Sequence, residues 1–375
     1  MRGEWPVRTI KVEDRLDRRW PYAHTFAVTA PEPISRSQYG RASFAMLGVC
    51  AAVLTAGALS IAESVFAPLA FALFIIAMAW PLQRRLQTSL PRLLALAVTM
   101  AATMLVVIVF AALVAWAAGR VGRFIISDAA RLQELYGSLT AWLEGHGVTV
   151  AGLWAEYFSV DQLIRLVQQV SARLNTAISF LVVVFIYVLL GLLEVDETSA
   201  KLRTWRHGQL GKVLLAGGEK TAIKLRRYML VRTLMSVMTG LLVWAFAILT
   251  GLPLAAEWGV TAFAFNFIPF IGPLIATVFP TIFAMAQFES WQMVLFVFVC
   301  LNVIQFVVGS YLEPRFVGNA LSISPFLVLF AVFFWTYLWG LAGAFIGVPI
   351  AIAILTICEE HPSTRWVADL FGEPS

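Results

Sequence analysis

Two stretches of the sequence combine residues that break backbone hydrogen bonding with side chains able to hold a polar molecule. The first is Asn266-Phe267-Ile268-Pro269-Phe270-Ile271-Gly272-Pro273. Its two prolines remove backbone donors, its glycine disfavours an unbroken helix, and an amide side chain sits one turn before them. The second is Phe345-Ile346-Gly347-Val348-Pro349, with Ser324-Pro325 upstream. Freed backbone dipoles beside the Asn266 amide and the Ser324 hydroxyl suit hydrogen bonding to a small polar ligand. Asn266, Pro269, Gly272, Pro273, Ser324, Pro325, Gly347 and Pro349 are therefore the candidate pathway residues. Glu313 and Arg315, in Leu312-Glu313-Pro314-Arg315, are the candidate gate or ion pair. They can pair with one another or with a neighbouring broken segment, and a solvated loop is the plain alternative. The GxxxG pair Gly343 and Gly347 equally suits close helix packing. The shared Phe-Ile-Gly followed by proline reads either as the trace of an internal repeat or as chance in so apolar a chain.

Parts for covalent or metal chemistry are missing. There is no GxxxxGK[ST] phosphate loop, no HExxH and no GxSxG. His24, His146, His207 and His361 lie outside the apolar runs. Cys50 and Cys300 lie inside such runs and Cys358 at the end of one, without disulfide or metal spacing. The sequence thus calls for no catalytic residue, metal or cofactor.

The elements that must position these residues are membrane helices. Of 375 residues, 60% are hydrophobic and 13% charged. Uncharged runs cover 42–62, 64–83, 93–119, 174–193, 233–256, 258–288, 290–312 and 316–358, against the roughly 18–20 residues that a helix needs to cross a hydrocarbon core. This predicts an all-α polytopic membrane protein of about eight membrane segments. As single helices the runs 258–288 and 316–358 are too long for one crossing, and both carry prolines and glycines. They are expected to be broken or re-entrant helical hairpins. Irregular backbone at that depth is tolerated only where protein or a watery cavity satisfies it.

The expected organisation is a basic cytoplasmic tail (1–41), membrane helices (42–118), an amphipathic extracytoplasmic helical insert (119–175), a membrane helix (176–193), a basic cytoplasmic segment (194–227) that Gly217-Gly218 breaks in two, a C-terminal membrane domain (228–358) and a cytoplasmic tail (359–375). The insert carries Leu163, Leu166, Val167, Val170 and Leu174 at helical spacing. Lys and Arg exceed acids 8 to 5 in 1–41 and 8 to 4 in 194–227, while 119–175 is balanced at 5 to 5. This positive-inside pattern puts both termini in the cytoplasm, with the basic residues facing anionic lipid and not nucleic acid. Arg232 is expected to snorkel from the cytoplasmic end of its helix, and Glu257 to be a solvated carboxylate at a helix end.

The order and spacing of several blocks resemble the AI-2E family, the autoinducer-2 exporter family of bacterial membrane proteins. The blocks are Leu249-Thr250-Gly251-Leu252-Pro253, the Asn266–Pro273 stretch with Pro280, Leu312-Glu313-Pro314-Arg315, Gly318, Leu321-Ser322-Ile323-Ser324-Pro325, Trp335, Trp339-Gly340, Gly343 and Pro349. Trp80-Pro81 stands where the family commonly has Asn-Pro, so no polar role carries over to position 80. The resemblance implies a bacterial inner-membrane secondary transporter, not an enzyme, exporting small polar solutes such as the quorum-sensing signal autoinducer-2. It also implies a homo-oligomer, a pentamer, with each protomer holding its own pathway. Sodium/proton antiport, with Glu313 as the titrating group, is the alternative within the family. A non-transporting scaffold acting through 119–175 is the alternative outside it.

Overall fold

The structure is a computed structural model that describes residues 36–127, 145, 160–204, 209–288, 290–317 and 323–372. Gly318, Asn319, Leu321, Ser322, Glu289 and most of the insert lie outside these residues. The chain divides into two compact units, Met1–Leu54 and Thr55–Ser375. Of the first, residues 36–54 are described, all within helix α1 (Arg36–Ile61). Its Met46, Leu47, Val53 and Leu54 are 65–73% exposed, an apolar surface that suits lipid and not water.

In the second unit, α1 ends at Ile61 and α2 (Glu63–Leu86) starts after Ala62 leaves helical geometry. Then follow α3 (Arg92–Ser127), α4 (Val160–Thr204) and α5 (Gln209–Leu249). The C-terminal part comprises α6 (Ala255–Phe265), α7 (Ile271–Gln287), α8 (Trp291–Phe306), a π-helical turn (Val307–Leu312), α9 (Glu313–Val317), α10 (Pro325–Glu360) and α11 (Arg365–Phe371). The described residues hold helices and no strand. Among the described residues, six stretches are long and apolar enough to cross a membrane: Glu63–Leu86, Arg92–Ser127, Ala177–Leu202, Val213–Leu249, Trp291–Phe316 and Pro325–Glu360. Their outer faces are apolar, with Leu105, Val106, Leu190, Leu230 and Phe296 about half exposed or more. Lipid supplies what such faces need.

The changes of charge at 118/119, 175/176 and 193/194 are not breaks in the chain. Helix α3 runs on to Ser127, and α4 is unbroken over 45 residues. Gly217-Gly218 does not break α5 either, contrary to the expectation. A Cβ on Gly217 would lie 3.4 Å from Ile357, and Lys224 reaches Glu359 at 2.8 Å, so tertiary contacts hold this stretch straight where propensity alone would not.

The last two long runs fold as helical hairpins. Between α6 and α7 the chain reverses over residues 266–270. Phe270 takes φ 65°, ψ −47°, and the Ile271 N–H donates to the Pro269 carbonyl at 2.7 Å, a γ-turn of the rare, strained hand. Gly272 then passes so close to the end of α6 that a Cβ would sit 2.1 Å from the Phe265 carbonyl oxygen. In α10 the break is at Trp339 (φ −130°, ψ 21°) and Gly340 (φ 56°, ψ −139°), giving limbs 325–338 and 341–360. The limbs lie antiparallel. A Cβ on Gly343 would meet the Trp335 carbonyl at 1.7 Å, and one on Gly347 would meet that of Ala331 at 2.8 Å. The apolar stretch Trp291–Phe316, long enough for one crossing, joins the two hairpins.

Candidate functional site

The two hairpins share one core. Ile268, with Phe265 and Ile271, packs with Val332, Ala344, Val348 and Ile352 of α10 and with Leu225 and Tyr228 of α5. Phe267 of the first turn stacks on Phe345 at 6.2 Å between centroids, and Phe110 of α3 meets both edge-on. Beside them is a cavity of about 30 Å³ lined by Phe71, Phe74, Tyr228, Met229, Phe267, Phe345 and Ile346. That is room for a water molecule or two.

The candidate pathway residues named from the sequence take the following places. Asn266 is buried and caps the end of α6, with its Nδ2 donating to Ser236 Oγ at 3.2 Å. Pro269 supplies the γ-turn carbonyl, and Gly272 makes the reversal. Pro273 opens α7, where its carbonyl accepts from Thr277 Oγ1 at 3.0 Å. Ser324 caps α10 through its side chain, accepting from the Leu327 N–H at 3.2 Å, and Pro325 takes the first helical position. Gly347 and Pro349 are buried in the returning limb, which stays helical through Pro349.

Glu313 and Arg315 do not pair with each other. Glu313 begins α9, and both its carboxylate oxygens accept from Arg232 Nη1, at 2.6 and 2.8 Å. Arg315 is exposed and stacks over the Tyr311 ring at 4.0 Å. Arg232 therefore does not snorkel. Its side chain is 7% exposed, because Glu313, 81 positions on, supplies the counter-charge that lets it stay inside.

Helix α5 is what the sequence reading missed. Arg232, Ser236 and Thr239 recur at helical spacing on one face and are all buried. They link Glu313, through Arg232 and one turn of helix, to Ser236 and Asn266. Arg232 Nε, Thr239 Oγ1 and Gln305 Nε2 are buried without a hydrogen-bond partner among the described residues. The spacing of Arg232, Ser236 and Thr239 was the available signal. Glu257 was misjudged too: it is 3% exposed and held by Arg120 Nε at 2.7 Å. That pair ties the start of α6 to α3. No group of three or more His, Cys, Asp or Glu able to hold a metal occurs among the described residues.

The pattern of the AI-2E family of transporters matches residues 45–363. The chain is 26% identical over 330 residues to the AI-2 transport protein TqsA of Escherichia coli K12, covering 88% of this chain and 94% of that one. It is 34% identical over 182 residues to a Borreliella burgdorferi protein provisionally named for transport, covering 48% and 50%. It is 31% identical over 137 residues to YrrI of Bacillus subtilis, also provisionally named for transport, covering 36% and 37%. With a match running from α1 to the end of α10, the chain belongs to the AI-2E family of transporters.

Proposed function

We propose that this protein is a secondary transporter of the bacterial inner membrane that exports a small polar solute along the seam between the two hairpins. The carrying observation is the polar row Glu313, Arg232, Ser236 and Asn266 beside the turn of the first hairpin, in which all but the partly exposed Glu313 are buried. Ionisable side chains within membrane helices are costly and by default point to a functional site. Paired, interrupted hairpins are also the arrangement in which many secondary transporters hold substrate. In this reading Asn266 and Ser236 hydrogen-bond the solute, while Arg232 and Glu313 close one end. The relative named for AI-2 transport makes autoinducer-2-like molecules the first candidates.

The test compares release of candidate solutes from cells with and without the protein, and efflux from proteoliposomes holding the purified protein. Asn266→Ala and Ser236→Ala are expected to slow efflux of the true substrate while leaving insertion intact. Unchanged movement of every solute tried, in both systems, would remove the reading.

A further inference from the structure

Helix α11 lies beyond the residues matched by the family pattern and holds the two ends of the second hairpin together. The Ser324 N–H, at the hairpin's start, donates to the Phe371 carbonyl at 2.9 Å. Thr364 Oγ1 donates to the Cys358 carbonyl, at its end, at 3.1 Å.

Around this helix, at about 100° per residue, three arcs separate. Ala368 is 6% exposed and faces the protein. Trp366 and Leu370, about 40° apart and nearly opposite Ala368, are each 64% exposed. Arg365 and Asp369, one turn apart, are exposed beside them and approach to 4.0 Å. A helix with one protein face, one charged face and one apolar face left open is built for a boundary between water and lipid.

The limb bonded to α11 carries an exposed apolar surface of its own. Phe326 and Phe330, on the hairpin limb that starts at Ser324, are 68% and 53% exposed. The Phe371 carbonyl is bonded by Ser324, which stands at the start of the limb that carries Phe326 and Phe330. Tryptophan is also a favoured side chain at headgroup level.

We propose that α11 is seated in the membrane interface, with Trp366 and Leu370 at the headgroup–acyl boundary. The bilayer surface is thereby tied to the mouth of the second hairpin. The occupant of the open face is lipid, not a second protein.

The experiment places a nitroxide label singly at positions 365, 366, 369 and 370 of the full chain, with Cys50, Cys300 and Cys358 replaced by Ser. The protein is held in phosphatidylcholine/phosphatidylglycerol vesicles. Collision with oxygen, which concentrates in hydrocarbon, is compared with collision with a water-soluble nickel chelate. Oxygen should dominate at 366 and 370, and nickel at 365 and 369. Nickel dominating at 366 and 370 would overturn the proposal, as would loss of both collisions there, which means that protein covers the face. A check without labels uses the fluorescence difference between the parent protein and Trp366→Phe. Brominated lipids should quench that difference, and an unquenched difference would equally overturn the proposal. Neither readout depends on transport, so the seating of α11 and the transport reading fail separately.

Discussion

A guanidinium with 7% of its side chain exposed holds its charge within a membrane helix only beside a counter-charge, and the Glu313 carboxylate provides it. Removing one partner strands the other. Arg232→Met and Glu313→Gln should each destabilise the purified protein by on the order of 3 kcal/mol, as broken buried pairs do. The double variant should lose less than the sum of the two, because it leaves no stranded charge. Thermal unfolding in detergent completes the cycle, and strict additivity would show that the two groups do not depend on each other. Asn266→Ala removes one buried hydrogen bond and should cost about 1 kcal/mol, so its larger effect belongs in efflux. The sequence marks Glu313 as unusual, because it lies between two apolar runs, but reads Arg232 as a snorkelling charge at a helix end. It did not show that they are partners, since nothing local links positions 81 apart. The nearer Arg315 looked the simpler mate, and it turned instead to Tyr311.

At the scale of the element, the interruptions were legible because proline and glycine act on the backbone directly. Which of them would interrupt was not. Pro280 and Pro349 stay inside helices, while the reversals fall at 266–270 and at Trp339-Gly340. Helix packing decides this, since neighbouring helices can compensate a proline's missing donor. Phe270 shows the strain that remains, a bulky residue at φ 65°. Phe270→Gly relaxes a conformation that costs non-glycine residues about 1–3 kcal/mol. With Phe270 49% exposed, little packing is lost. The variant should match or exceed the parent in thermal stability, and a lower unfolding temperature would mean that the ring contacts matter more than the turn. Gly343→Ala makes the opposite case. Its methyl would occupy space 1.7 Å from the Trp335 carbonyl, so the hairpin limbs must part. It should unfold well below the parent, whereas Gly309→Ala, with nothing within 4 Å, should be tolerated. Equal tolerance of both would contradict the antiparallel packing of the limbs.

For the whole molecule, apolar run length and the block pattern made the all-helical membrane fold readable, because lipid allows only helices and closed barrels and runs of this length suit helices. The meeting of the hairpins was not readable, since it depends on which surfaces face each other across more than seventy residues. That meeting carries the final prediction. The cavity beside Phe267 and Phe345 is about 30 Å³, far too small for an organic solute. Passage along this seam therefore requires the hairpins to separate, and the stacked rings at 6.2 Å mark where. Cysteines at Phe267→Cys and Phe345→Cys, in a background with Cys50, Cys300 and Cys358 replaced, allow the two hairpins to be tied by a short, cleavable thiol crosslinker. Efflux from proteoliposomes should fall toward the protein-free leak as the crosslinked fraction rises and return when the linker is reduced. Each single-cysteine variant treated alike should keep its rate. Undiminished efflux through fully crosslinked protein would move the pathway away from this seam, and the buried row on α5 would then be read as support for the fold.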